Sequence, residues 1–216
     1  MGCASSAPAA LTGDRRFNAL AQRTNFRPAQ VRVLYKIYEN VSNSLGNANM
    51  ISLGEFQLAL FGKRKAGDGD GASDDLFSAR IFACFDTTND GTLSFEEFVC
   101  GLSVFHPQAS KMEKTRFAFK VYDLQGTGRI ERQDVRRMLD AVMRQSKDMT
   151  LSDEALDMAV DQTFEDCDLK KDGAISLDEF EKLVDKNEKI IANMTLPMLS
   201  RLTKEFPAFL FTDDGE

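Results

Sequence analysis

Tryptophan is absent from the chain, and histidine occurs once, at His106. A single imidazole leaves no material for a multi-histidine metal site, and a Ser-His-Asp arrangement would rest on that residue alone, so enzymatic chemistry is not expected. Cysteine is sparse: Cys3, Cys84, Cys100 and Cys167 form no C-x-x-C pair and follow no secretory apolar segment, which fits a reducing compartment without disulfides. No run approaches the roughly 18 uninterrupted apolar residues that spanning a bilayer takes. Basic residues are in deficit, 27 Lys and Arg against 34 Asp and Glu, giving a net charge of -7 and a pI of about 4.9. A surface of that sign repels phosphate backbones, so nucleic acid is not an expected partner. What is present is ordinary for a folded chain. With 43% hydrophobic and 28% charged residues, wholesale disorder and collagen-like structure are excluded, and 216 residues suffice for one large domain or two small lobes. The 17 Phe and 9 Met make its apolar inventory adaptable.

The first residues, Met1-Gly2-Cys3-Ala4-Ser5-Ser6, satisfy the pattern for myristoylation of Gly2 after loss of Met1. One myristoyl chain holds a membrane only marginally, so stable anchoring takes a second signal, and Cys3 is placed to carry palmitate. The following stretch to Gly13 is poor in large apolar residues and contains Pro8, so it reads as a tether. Residues 1–25 are accordingly expected to be a flexible, lipid-modified segment.

The rest of the chain repeats one pattern: an apolar helical stretch, a polar loop with Ile or Leu at its eighth position, then an acidic residue. The markers are Ile51, Leu93, Ile130 and Ile175, separated by 42, 37 and 45 residues, the scale of a helix-loop-helix unit with a linker. The second loop, Asp86 to Glu97, follows the EF-hand pattern most closely. Ca²⁺ is a hard cation that takes six to eight oxygens, and this spacing offers Asp86, Thr88, Asp90, the Thr92 carbonyl and a bidentate Glu97, with Ser94 placed to hold a water. Gly91 permits the sharp turn, and Leu93 is expected to pair with its counterpart in the neighbouring loop.

The other loops depart by degrees. Loop four, Asp168 to Glu179, keeps Asp168, Asp172, the Ala174 carbonyl and Glu179, but Lys170 stands where an oxygen ligand belongs. A weakened site is expected unless that side chain turns outward. Loop three offers Asp123, Gln125, Thr127 and the Arg129 carbonyl, and ends in the shorter Asp134. Three outcomes are open there: weak Ca²⁺ binding, a preference for Mg²⁺, or an empty loop with Arg129 and Glu131 paired. In loop one, Ser44, Gly46 and Ala48 occupy the side-chain positions, so Glu55 is the one carboxylate. It either coordinates through backbone carbonyls around Ser42, Leu45, Asn47 and Met50 or is a structural hand that pairs with the second.

Flanking segments show helical periodicity, as in Val31, Leu34 and Tyr38 or Phe95, Phe98, Val99 and Leu102. The fold expected is all-α: two EF-hand pairs with short β-bridges between loops one and two and between loops three and four. The N-terminal pair is expected over 26–110, the C-terminal pair over 111–186, and a C-terminal helix and tail over 187–216. Cys84, Cys100 and Cys167 are expected to be buried, and the basic then acidic stretch Gly62 to Asp75 to be a linker.

Over about residues 26 to 211 the chain resembles the calcineurin B-like calcium sensors of plants. The resemblance rests on Glu55-Phe56-Gln57-Leu58-Ala59-Leu60-Phe61, Val104-Phe105-His106-Pro107, Asp161-Gln162-Thr163-Phe164-Glu165-Asp166, Thr195-Leu196-Pro197 and Phe206-Pro207-Ala208-Phe209, with a Met1-Gly2-Cys3 start similar to that of membrane-anchored members. It implies a hydrophobic groove holding the Asn-Ala-Phe regulatory segment of a serine/threonine kinase. It further implies recruitment of that kinase to the cytoplasmic face of a membrane, the plasma membrane being the expected one. The sequence departs from the family at Asn47-Ala48-Asn49, at the inserted Gly67 to Gly71, and at Ala208, where members carry a serine that the kinase phosphorylates. A regulatory component of a calcineurin-type phosphatase and a Ca²⁺ buffer are the alternatives.

Overall fold

Among the described residues, four helix-loop-helix units recur, each with a two-residue strand in its loop. The computed structural model describes residues 13–44, 50–61, 72–145 and 152–188. In order come α1 (Gly13–Arg23), α2 (Pro28–Ser42), β1 (Ile51–Ser52), α3 (Leu53–Phe61), α4 (Ala72–Phe85), β2 (Thr92–Leu93) and α5 (Phe95–Ser103). The second half holds α6 (Lys111–Tyr122), β3 (Ile130–Glu131), α7 (Arg132–Gln145), α8 (Asp153–Cys167), β4 (Ala174–Ile175) and α9 (Leu177–Lys186). The expected all-α class with small β-bridges is what the structure shows. Loop markers are the register residues: Ile51 pairs with Leu93 and Ile130 with Ile175, both antiparallel.

Local sequence explains where several helices begin. Pro28 opens α2, where its missing N–H costs nothing, and Gln30 Oε1 accepts the Arg27 amide at 2.7 Å. Ser-x-x-Glu starts α5, α6 and α9 as Ser94/Glu97, Ser110/Glu113 and Ser176/Glu179, each a reciprocal capping box that satisfies otherwise orphaned amides.

Packing produces two clusters that share α6. Leu34, Tyr38, Ile51, Phe56, Phe85, Leu93, Phe95 and Phe98 are buried in the first, and Phe164, Ile175, Phe180 and Val184 in the second. On α6, Phe117 and Val121 face the first cluster while Ala118 and Phe119 face the second, so one helix serves both cores. Phe117 stacks edge-on to Phe105 at 5.1 Å, and Arg80 of α4 donates to the Lys120 carbonyl from Nε and Nη2 at 3.0 and 2.7 Å. On the surface, Arg132 and Arg136 of α7 pair with Asp161 and with Asp153 and Asp157 of α8.

Two expectations are corrected. The stretch 1–25 is not flexible throughout, since α1 packs on α2 and α5 through Phe17 and Leu20. Arg16 fixes it by a bidentate bond to Glu96, at 2.8 and 3.0 Å, with its guanidinium 5.2 Å above the Phe95 ring. Of the cysteines, Cys167 is buried but Cys84 and Cys100 are half-buried. Gly2, Cys3, Leu45, Asn47, the Gly67 to Gly71 insertion and the tail around Thr195 and Ala208 lie outside the described residues.

Candidate functional site

Loop two is held from both sides. Leu93 is fully buried in the strand pair, and Tyr38 of α2 donates its hydroxyl to the Leu93 carbonyl at 2.9 Å. Burial pushes the Tyr38 phenol up to about 12, so it remains a donor. Gly91, with φ +80°, makes the turn that lets its amide donate to Asp86 Oδ2 at 2.9 Å, while Oδ1 accepts from the Asp90 amide at 3.2 Å. Asp90 accepts from the Thr92 hydroxyl at 2.7 Å and amide at 2.9 Å, and these bonds hold its carboxyl below the usual range.

Glu97 joins this loop to α5. Its Oε1 accepts from the amides and hydroxyls of Thr87 and Thr88, at 3.0 to 3.1 Å, and its Oε2 from the amide and hydroxyl of Ser94, at 2.9 and 2.8 Å. Burial opposes its charge, but the Ser94 and Thr88 bonds outweigh that and hold the carboxyl at about 2. Ser94 is the N-cap of α5.

Loop four repeats the plan with one difference in sign. Asp168 accepts from the amides of Asp172 and Gly173 at 3.2 and 2.8 Å, and Gly173 has φ +82°. Glu179 Oε2 accepts from Ser176, and its Oε1 from the Lys170 amide at 2.9 Å. Burial opposes the charge of Glu179 too, and the Ser176 and Lys170 bonds overcome it to hold the carboxyl at about 2. The Lys170 side chain folds across the loop to Ser176 Oγ at 3.0 Å, and Asp172, the fifth-position carboxylate, is paired with Arg129 of loop three at 2.5 Å. Ala174 is buried in β4.

Loop three is thinner. Asp123 accepts from the amides of Thr127 and Gly128 at 2.9 and 2.7 Å, and the Arg129 carbonyl accepts from the Thr127 hydroxyl at 3.0 Å. The proposed Arg129–Glu131 pair does not form: Glu131 accepts from Gln125 and Gln133, because the strand pairing brings Asp172 within reach of Arg129. Asp134 accepts the Glu131 amide at 3.0 Å on one oxygen, while its Oδ1 is buried with no hydrogen-bond partner. Glu55 of loop one is the same case, bonded to Ser52 through Oε2 and leaving Oε1 buried without a hydrogen-bond partner.

Among the described residues, no three Asp, Glu, His or Cys side chains converge as a metal cluster. The carboxylates are turned to the loops' own donors instead. Those donors decide which loops fit a divalent cation. In loop two they are neutral amides and hydroxyls that an ion can replace, and the donor set of Asp86, Thr88, Asp90, the Thr92 carbonyl and Glu97 fits Ca²⁺. In loops one and three a buried carboxylate oxygen lacks a counterpart, which also suits a cation. In loop four the fit fails as the side chains stand, because two cations already occupy the ligand positions.

Family models and relatives agree with this geometry. An EF-hand domain pair matches residues 112–184 and an EF hand matches residues 79–99. The chain is 38% identical over 212 residues to calcineurin B-like protein 5 of Arabidopsis thaliana, covering 97% of this chain and all of that one. The chain belongs to the calcineurin B-like EF-hand family. The calcineurin B protein of Naegleria gruberi is 34% identical over 163 residues, 74% of this chain and 81% of that protein. Its Candida glabrata counterpart is 36% identical over 126 residues, 58% and 69%. Membership of this calcium-sensor family carries Ca²⁺ binding with it.

Two further features bear on function. An apolar cavity of about 290 Å³ opens among α4, α6, α7, α8 and α9, where Phe77, Tyr122, Met138, Leu139, Phe180 and Leu183 line it together with Ile130 and Ile175 of the strand pair. His106 is packed edge-on to Phe26 at 5.3 Å and accepts the Gln108 amide at Nδ1. Sequence reasoning did not anticipate the Arg129–Asp172 and Arg16–Glu96 contacts. The signal for the first was present: a cation beside one marker isoleucine and an acid in the loop it pairs with.

Proposed function

We propose that the chain is a Ca²⁺ sensor that binds a serine/threonine kinase through an apolar groove. In this reading the groove takes the kinase's Asn-Ala-Phe regulatory segment, and lipids on Gly2 and Cys3 carry the pair to the cytoplasmic face of the plasma membrane. The sensor itself performs no chemistry. The observation that carries the reading is the double engagement of Glu97: one carboxylate oxygen belongs to loop two and the other caps α5. Ca²⁺ held by Asp86, Thr88, Asp90, Thr92 and Glu97 would supply a counter-charge in place of the Thr87 and Thr88 donors, and α5, whose first turn depends on Glu97, would respond.

The ligands of this reading are Asp86, Thr88, Asp90, Thr92 and Glu97, with weaker sites at Asp123, Gln125, Thr127, Arg129 and Asp134 and at Glu55. Mg²⁺ is the alternative ion at these weaker loops. The cavity beside α7 supports the groove, since its size suits one or two anchoring apolar side chains of a partner helix. A second reading, a regulatory component of a calcineurin-type phosphatase, is favoured by the Naegleria and Candida calcineurin B relatives, but these cover 74% and 58% of the chain against 97% for the plant relative. Calorimetric titration with a kinase peptide containing Asn-Ala-Phe, in Ca²⁺ and in chelator, separates the readings. Tight binding favoured by Ca²⁺ is the expected result, and absence of binding in both conditions overturns the kinase assignment.

A further inference from the structure

The C-terminal loop pair carries its own cations. Arg129 Nη2 stands 2.5 Å from Asp172 Oδ2, reaching from the seventh position of loop three to the fifth of loop four. Lys170 ties the third position of loop four to the ninth by Nζ to Ser176 Oγ, and its amide ties the loop to Glu179. The Ile130–Ile175 register makes the first contact possible by laying the loops side by side. Loop two differs: the matching carboxylate, Asp90, is held by the hydroxyl and amide of Thr92.

We propose that Arg129 and Lys170 are built-in counter-ions of loop four, setting the third and fourth loops as a pair without a divalent ion, so that Ca²⁺ enters loop four only by displacing Arg129 from Asp172. This rests on the assignment of loop two as the calcium-responsive site. Two positive side chains offset the acidic residues that a divalent ion would otherwise neutralise, and Lys170 also removes one oxygen donor. The consequence reaches the cavity, because Ile130 and Ile175 both pair the loops and line it. That part of its wall is therefore fixed at low Ca²⁺, and the Ca²⁺ response falls to the N-terminal pair.

The sixth-position glycines give each loop its own reporter, since the amides of Gly91, Gly128 and Gly173 donate to Asp86, Asp123 and Asp168. Amide NMR during Ca²⁺ titration of the full chain is to show Gly91 responding first and Gly173 at a Ca²⁺ concentration at least tenfold higher. Arg129→Gln lowers the Gly173 midpoint about two- to fivefold, the worth of a half-exposed ion pair. Lys170→Asp, which removes a charge and adds an oxygen, lowers it more than tenfold. Arg129→Lys keeps the charge and leaves the midpoint within about twofold of the parent, which separates counter-charge from folding damage. A Gly173 midpoint equal to that of Gly91 in the parent, or unmoved by Arg129→Gln and Lys170→Asp, overturns the proposal. A silent Gly91 beside a Gly173 that still moves with these variants supports the counter-ions and rejects the loop-two assignment instead.

Discussion

Replacing Glu97 by Gln is expected to weaken the protein even in chelator, before any ion is added. Glu97 accepts six hydrogen bonds, four on Oε1 from Thr87 and Thr88 and two on Oε2 from Ser94. Glutamine keeps an oxygen for one set and turns an NH₂ group toward the other, so either the Ser94 amide or the threonine donors face a donor. Leaving a partly buried amide unpaired costs about 1–3 kcal/mol, and removing a negative charge from the first turn of α5 costs about 0.3–1 kcal/mol more. Some of this is recovered by rotation of the Ser94 and Thr88 hydroxyls, so the expected loss is about 2 kcal/mol. For a chain of this size that corresponds to a fall in Tm of roughly 4 to 8 °C. Calorimetric melting in chelator measures it, and a second melt in Ca²⁺ measures the stabilisation by ligand, which the variant is expected to lose at loop two. An unchanged melt in chelator contradicts the capping role of Glu97. Full Ca²⁺ stabilisation in the variant contradicts its role as a ligand.

Three more outcomes follow from the packing. Gly101→Ala places a Cβ 2.4 Å from the Phe85 ring, which is buried between Phe56 and Phe117, so overpacking is expected to cost about 1–3 kcal/mol in chemical denaturation; a parent-like midpoint contradicts it. Hydrogen bonds hold the ionised Glu97 and Glu179 at about 2 in the folded chain against an ordinary 4.5, so in chelator the stability they supply is complete above about pH 4.5 and declines as pH falls toward 2. A Glu97→Gln, Glu179→Gln double variant is to show a shallower decline across that window, and an identical slope rejects the assignment. Arg16→Met breaks the bidentate bond to Glu96, and because both side chains are about 40% exposed the expected loss is only about 0.2–1 kcal/mol, read as faster amide exchange in α1 alone. Exchange that quickens equally in α8 and α9 contradicts a local role.

Much of the fold is written in short-range pattern. The eighth-position residues Ile51, Leu93, Ile130 and Ile175 are recognisable because Ile or Leu recurs at the same place in each loop, and they are the residues that pair. The dual use of Glu97 and Glu179 is also legible, since the ninth and twelfth loop positions coincide with the Ser-x-x-Glu of a capping box. Tertiary contacts are not legible in this way. The apolar face of α1 is only Phe17, Leu20 and Ala21, too short to announce a helix, and its order comes from α2, α5 and the reach of Arg16 to Glu96, 80 residues away. Arg129 illustrates the same limit: its nearest acid along the chain is Glu131, but the strand pairing supplies Asp172 from a loop more than forty residues on.

Thermodynamic linkage gives the most direct measurement of the central claim that loop two couples Ca²⁺ to partner binding. The Ca²⁺ midpoint of the Gly91 amide is measured with and without the Asn-Ala-Phe peptide at saturation, and the peptide affinity with and without Ca²⁺. Peptide is expected to lower the Gly91 midpoint by the same factor by which Ca²⁺ tightens the peptide, at least about fivefold. A Gly91 midpoint indifferent to a bound peptide contradicts the account.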